Sequence, residues 1–372
     1  MTRGRRRKVT IISAGILFIA AAIVFLFVRM APVPPLEKID KARQAISDAK
    51  KARADAYAPT LFSESEKLYQ SAISRWKSEN SKFILKRDFT SIDALVELCT
   101  SKANDARTKA LSHSSDLQTS LGATIKSLTR SVEKYDELFS ELPLRKKVIQ
   151  DYEKGKMLLN EAKYDYKSKN YLVCKKKIDN SLKFLNDSFS SVKAYLKDYF
   201  SSYTSWSEWN NTTVNNSRKN KTDAIVVDKY AKKCYLYKSG KLKHTFDVEL
   251  GKNWIGAKLY KGDKATPEGL YHVTKKLHGQ KTKYYKALMI NYPNEADKNR
   301  FASEKKRGTL SKRAQIGGLI EIHGGGGRGV NWTEGCIALR DSEMDIVYRE
   351  IAEGTPVTIV GSLIKLSELV EF

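Results

Sequence analysis

The chain has 372 residues with 67 Lys and Arg against 42 Asp and Glu, a net charge of +25. That length exceeds one ordinary domain, and 41% apolar residues exclude a wholly disordered chain. Four cysteines exclude a disulfide-stapled scaffold, and eight prolines with 21 glycines exclude a collagen-like fibre.

Residues 1–8 carry Arg3, Arg5, Arg6, Arg7 and Lys8 without an acid, and are expected to form a cytoplasmic basic tip. Residues 9–28 follow as an apolar run whose polar members are Thr10 and Ser13. At about 1.5 Å per residue the run spans about 30 Å, the thickness of a hydrocarbon core. Its exit, Val28-Arg29-Met30-Ala31-Pro32, lacks a small-x-small cleavage site, which favours an uncleaved transmembrane anchor over a signal peptide. The expected topology is single-pass in a bacterial cell membrane, with everything after Arg29 extracytoplasmic. A basic surface there suits anionic envelope polymers or lipid headgroups. Nucleic acid is not an expected partner, because no zinc-finger spacing, RNP-like aromatic motif or basic zipper is present.

Residues 36–200 are expected to form an all-α bundle or coiled-coil stalk. Apolar stripes run through Leu36, Ile39, Ala42, Ile46 and Ala49, then Leu61, Leu68, Ala72 and Trp76, with Thr60 as the expected N-cap of that second helix. A third stripe joins Phe89, Ile92, Val96, Cys99, Ala103, Ala106 and Ala110. A fourth joins Leu121, Ile125, Leu128, Val132, Tyr135 and Leu142, and a fifth runs from Tyr171 and Cys174 to Leu196. Steps of three and four make these packing seams. The segments opening at Phe89 and Tyr171 match loosely at an offset of 82, a weak sign of an internal repeat. Cys99 and Cys174 fall on apolar faces and are expected to be buried, with a disulfide between helices as the alternative. Residues 201–221, rich in Ser, Asn and Thr, read as a linker or irregular loop whose Trp206 and Trp209 dock on a neighbouring domain.

Residues 222–372 switch to short strands, at Ile225–Val227, Cys234–Tyr237, His244–Leu250, Leu270–Val273, Ala287–Tyr292, Leu319–His323 and Val357–Val360. One late helix is expected, from Glu343 to Ala352, capped by Ser342. The expected domain is mostly β.

The chemistry-bearing segment runs from His323 through Gly324–Gly327, Arg328 and Gly329 to Trp332-Thr333-Glu334-Gly335-Cys336. A histidine leaves a strand into a glycine-rich loop, and a cysteine follows thirteen positions later. A thiol nucleophile needs a base that promotes its ionisation and backbone N–H groups that hold an oxyanion. His323 is the candidate base and Cys336 the candidate nucleophile, with the amides of Gly335 and Cys336 as oxyanion donors. Arg328, Trp332, Thr333, Glu334 and Arg340 are candidate substrate contacts. Trp332 can equally pack beneath the loop. Glu321, on the same strand face as His323, can orient the imidazole or serve as a strand-end carboxylate. His244, His272 and His278 lack partners at ligand spacing, so no metal and no cofactor is expected.

Residues 224–361 resemble the catalytic domain of the L,D-transpeptidases, bacterial enzymes of peptidoglycan cross-linking. The resemblance is carried by Gly262-Asp263-Lys264-Ala265-Thr266-Pro267-Glu268-Gly269-Leu270-Tyr271, by Tyr292-Pro293-Asn294, by Ile322-His323-Gly324 and by Thr333-Glu334-Gly335-Cys336-Ile337-Ala338-Leu339. It implies a Cys336 thiolate paired with protonated His323, the imidazole oriented by the backbone carbonyl of Gly324, and peptidoglycan stem peptides as substrate. Two positions depart from the family pattern: Glu334 replaces a frequent second histidine, and Ala338 a frequent arginine. The departures point to a divergent branch that includes amidases releasing lipoprotein from peptidoglycan, which makes an envelope lipoprotein a further candidate partner. The reading is thus an anchored cell-envelope L,D-transpeptidase, with an L,D-carboxypeptidase or lipoprotein-releasing amidase, or a non-catalytic peptidoglycan-binding scaffold, as alternatives.

Overall fold

The computed structural model describes residues 3–370, with side chains from residue 12 onward. Met1, Thr2, Glu371, Phe372 and the side chains of the basic tip lie outside the described residues. Helix α1 (Arg3–Met30) contains the run Ile12–Met30, which by length and composition is able to cross a membrane and is wholly unburied. Pro32, Pro34 and Pro35 separate it from α2 (Leu36–Lys51). Next come α3 (Ala54–Tyr57), α4 (Pro59–Asn80), α5 (Thr90–Phe139), α6 (Lys146–Lys167), α7 (Tyr171–Phe200) and α8 (Tyr203–Asn220).

Several boundaries differ from those read in the sequence. Thr60 does not cap α4: Pro59 takes the first helical position behind Ala58, where its fixed φ suits the helix and its missing N–H costs nothing. The third and fourth stripes lie on one 50-residue helix, α5, because no proline or glycine interrupts Ala110 to Leu121. Helix α6 had no stripe assigned to it. Its buried residues include Tyr152, Leu159 and Ala162, too sparse a pattern among so many charges. The expected linker at 201–221 is instead α8. Its buried positions are Trp206, Thr213 and Ser217, so its inward face is mostly hydroxyl-bearing and gives no apolar period.

The chain divides into two compact units, Met1–Ser127 with Glu161–Ile178, and Leu128–Asn160 with Asp179–Phe372. The division falls inside α5, α6 and α7 rather than at 201–221. In the first unit a core joins Ile39 and Ala42 of α2, Ala72 of α4, and Ile92, Val96 and Cys99 of α5. Cys99 and Cys174 are buried free thiols, and burial pushes that of Cys99 up to about 11. Between α4 and α5 lies a short 3₁₀ turn, Ile84–Lys86.

In the second unit Tyr135 of α5 stacks on Tyr152 of α6 at 3.8 Å. Gly155 is required where α6 meets α7, because a Cβ there would stand 2.7 Å from Leu185 Cγ. The sheet comprises β1 (Asp223–Asp228), β2 (Lys233–Lys238), β3 (Lys241–Asp247), β4 (Gly269–His278), β5 (Lys286–Ile290), β6 (Glu321–His323), β7 (Ile337–Ala338) and β8 (Pro356–Val360). Their order is β3-β2-β1-β8-β4-β5-β6-β7, antiparallel except for β1 with β8 and β6 with β7. Strand β1 is buried on both faces, which is why Ile225-Val226-Val227 reads as an unbroken apolar run rather than an alternating one. Helix α8 covers β1 and β8, with the Thr213 hydroxyl 2.6 Å from that of Thr358.

More helix is present here than the sequence suggested. Helix α9 (Glu295–Lys306) was missed, although Asn294 caps it: its side chain accepts from the Asp297 N–H, and the Asp297 carboxylate accepts from the Asn294 N–H. The late helix, α10 (Asp341–Glu350), starts ahead of Ser342, and its N-cap is Arg340. A short α11 (Leu366–Leu369) follows β8.

Candidate active site

The segment Gly251–Glu268 supports the site from beneath. Asp263 organises it, accepting from the N–H groups of Leu259, Tyr260 and Ala265 and from Lys258 Nζ at 2.6 Å. The far end is held by the fully buried Lys229, whose ammonium donates to the Gly256 and Thr266 carbonyls and to Glu268. Glu268 also accepts from Tyr199 Oη at 2.9 Å and Trp206 Nε1 at 3.2 Å. Burial pulls the Lys229 ammonium down, against the opposing pull of Glu268.

Strand β6 ends in His323, and Cys336 directly precedes its neighbour β7. The two strands run parallel, with Ile322 opposite Ile337 and His323 opposite Ala338. Cys336, one residue ahead of β7, is therefore in register with Glu321, and period-two alternation puts Glu321, His323 and Cys336 on one face. His323 Nδ1 lies 2.6 Å from the Gly324 carbonyl oxygen. A carbonyl only accepts, so Nδ1 carries the proton and Nε2 keeps its lone pair. Nε2 is buried without a partner. Glu321 does not orient the ring, because the ring nitrogen that would need it is already bound.

Aromatic rings enclose the imidazole. Tyr284, in the β4–β5 connection, stacks flush on it at 3.4 Å and 4°, and Trp332 meets it edge-on at 6.0 Å. Tyr284 was not singled out in the sequence, and nothing in Lys283-Tyr284-Tyr285 marks it. Burial, only partly offset by the Gly324 carbonyl, lowers the His323 pKa to about 4. Burial also raises the Cys336 thiol; a hydrogen bond with the Glu321 backbone, Lys283 and Lys258 oppose the rise, and the Glu321 carboxylate adds to it. The Cys336 thiol donates to the Leu319 carbonyl at 3.8 Å. Both shifts favour the neutral forms over the expected thiolate–imidazolium pair.

The turn before Cys336 is braced by Thr333. Its hydroxyl donates to the Cys336 carbonyl at 2.7 Å and accepts from the Gly335 N–H at 3.2 Å. Thr333 is therefore a buried brace rather than a substrate contact, and the Gly335 amide, expected to face an oxyanion, is already engaged. Gly335 has φ +133, and a Cβ there would stand 2.6 Å from the Ala265 carbonyl. Lys258, buried beside it, places Nζ 3.5 Å from the Glu334 carbonyl.

The remaining candidates lie further out. Glu249 accepts from the Gly329 N–H and from Trp332 Nε1, both at 2.6 Å. Trp332 is thus both pinned under the loop and set against the imidazole. Arg328 lies over the Trp332 ring at 3.6 Å, and its charge adds to the lowering of the His323 pKa. Glu334 is exposed, with its carboxylate 3.8 Å from Lys264. Arg340 lines a separate cavity of about 270 Å³ with Glu249, Gly327 and Asn331. The neighbouring Asp341 accepts from the Gly325 N–H at 2.7 Å. Among the described residues no cluster of metal-ligating side chains is present.

No curated protein matches the chain. Solved structures similar to it include Bdellovibrio bacteriovorus Bd1075 (22% identity, TM-score 0.30), an L,D-transpeptidase from Mycobacterium smegmatis (14%, 0.25) and Mycobacterium tuberculosis L,D-transpeptidase 1 (16%, 0.24). These matches cover 40%, 37% and 38% of this chain and 51%, 58% and 63% of the respective structures. The chain thus spans between half and two thirds of the length of each. Residues 222–359, which hold both His323 and Cys336, match the family model of the L,D-transpeptidase catalytic domain.

Proposed function

We propose that the chain is a membrane-anchored cell-envelope L,D-transpeptidase that acts on peptidoglycan stem peptides. The observation that carries this reading is the placement of Cys336 beside β6, on the face that also bears His323, with Nε2 of His323 free to accept a proton.

In the first half-reaction the Cys336 sulfur attacks the carbonyl at the L-centre of the third stem residue, and its proton passes to His323 Nε2. The Cys336 amide is the oxyanion donor this reading assigns, since the Gly335 amide serves Thr333. Collapse breaks the L,D peptide bond, the proton moves from Nε2 to the departing amine, and a thioester remains. An acceptor amine then attacks the thioester and gives up a proton to His323 Nε2; the new amide forms as the C–S bond breaks, and that proton passes to sulfur. With water as acceptor the same steps amount to a carboxypeptidase. The apolar run Ile12–Met30 supports the anchored, extracytoplasmic placement.

The test is mass spectrometry of disaccharide-tetrapeptide incubated with the full chain and with Cys336→Ala. Cross-linked dimers or exchange of the terminal D-residue, absent in Cys336→Ala, are expected. Tripeptide without dimers would instead identify a hydrolase, and unchanged conversion by Cys336→Ala would overturn the reading.

A further inference from the structure

The turn between α4 and α5 exposes three consecutive apolar side chains, Phe83, Ile84 and Leu85, at 60%, 39% and 36%. Lys82, Lys86 and Arg87 flank them. The turn is well braced. Arg87 donates back to the carbonyls of Lys82 and Asn80 at 3.1 and 3.0 Å, and Glu79 accepts from Lys82 and from the Asp88 N–H. An apolar tip held this firmly in the open, and ringed by cations, is shaped to meet another phase.

One contact indicates which phase. The Phe83 ring meets the Phe27 ring edge-on at 6.5 Å. Phe27 belongs to the apolar run Ile12–Met30 and lies three residues before its end, about 4.5 Å along the helix axis. Phe83 therefore sits at the depth where that run would leave the hydrocarbon, the level at which aromatic rings collect in membrane proteins.

We infer that the turn Lys82–Arg87 is a second membrane contact, which lays Phe83, Ile84 and Leu85 into the acyl–headgroup boundary of the leaflet that α1 exits and sets its cations against anionic phospholipid headgroups. The long stem of Lys86 lets its ammonium group reach phosphate while the apolar tip goes deeper. This inference rests on the reading of α1 as an anchor.

The test reconstitutes the full chain in phosphatidylglycerol vesicles with a photoactivatable benzoylphenylalanine at one position at a time. The positions are Phe18 within the apolar run, Phe83 in the turn, and Leu111, an exposed residue of α5. Cross-linking to lipid is expected at Phe18 and Phe83, at least about tenfold above Leu111, as for a buried interfacial side chain. Lipid adducts at Phe18 with Phe83 no higher than Leu111 would overturn the membrane contact and leave the anchor standing. No adduct at Phe18 would overturn the anchor and this inference with it. Adducts at Phe83 to a second protein copy in place of lipid would also overturn it.

Discussion

Burial moves Cys336 and His323 in opposite directions along the pH scale. It drives the Cys336 thiol above its ordinary range and the His323 imidazole down to about 4, which favours the neutral form of each. A thiolate–imidazolium pair would hold its reactivity nearly flat across neutral pH, whereas a neutral pair reacts only as the thiol ionises. Iodoacetamide alkylation of Cys336 in the substrate-free protein should therefore rise about tenfold per pH unit from pH 6 to beyond pH 8. A plateau between pH 5 and 7 would show that the ion pair forms. Lys258 faces this turn from below and holds the thiol down, so Lys258→Met should displace the profile to higher pH. An unmoved profile would reduce that ammonium to a purely structural role. At this scale the partner of the imidazole was legible through the family resemblance, which pointed to the Gly324 carbonyl that His323 Nδ1 meets at 2.6 Å. The sequence was silent on Tyr284, because an aromatic residue in a connection has no period, and the ring it covers is 39 positions away.

Among the elements, the buried Lys229–Glu268 pair fastens helices α7 and α8, through Tyr199 and Trp206, to the segment that underlies the site. Removing one partner leaves the other without its counter-charge in the interior, a cost of about 3–5 kcal/mol. Glu268→Ala should lower the stability of the second unit by that order, measured by urea unfolding followed at the tryptophans. A loss under about 1 kcal/mol would mean that the pair is solvated in solution. Elements were legible where one side of the chain is apolar: the stripe from Phe89 to Ala110 is buried at every position, and most strands lie within a few residues of where alternation put them. Helix α8 hid because its inward contacts at Thr213 and Ser217 are hydroxyls. Strand β7 hid because two residues carry no period.

For the whole molecule, the apolar run and the thiol chemistry lie at opposite ends of the sequence, which makes them separable by experiment. Deleting residues 1–30 should move the protein from the membrane fraction to the soluble fraction while Cys336 keeps its alkylation profile. Retention in the membrane fraction would mean that contacts beyond α1 suffice to hold it there. The compact units place their division within three helices rather than in a loop, and composition could not show this, because stretches of helix on either side of the division have the same texture. The transition between helical and β sequence near residue 222 was visible, and it is a change of secondary structure rather than a border of compactness.

The glycine loop after His323 is the costliest stretch to order, since glycine surrenders the most backbone freedom on folding. Two carboxylates meet that cost. Asp341 grips the amide of Gly325, and Glu249 grips that of Gly329. Gly326 in turn donates to the Leu339 carbonyl at 2.8 Å, so, like a cable slung between posts, the loop can swing only over Gly327 and Arg328. Whatever passes over the histidine meets a short, tethered span whose slack was removed before any substrate arrived.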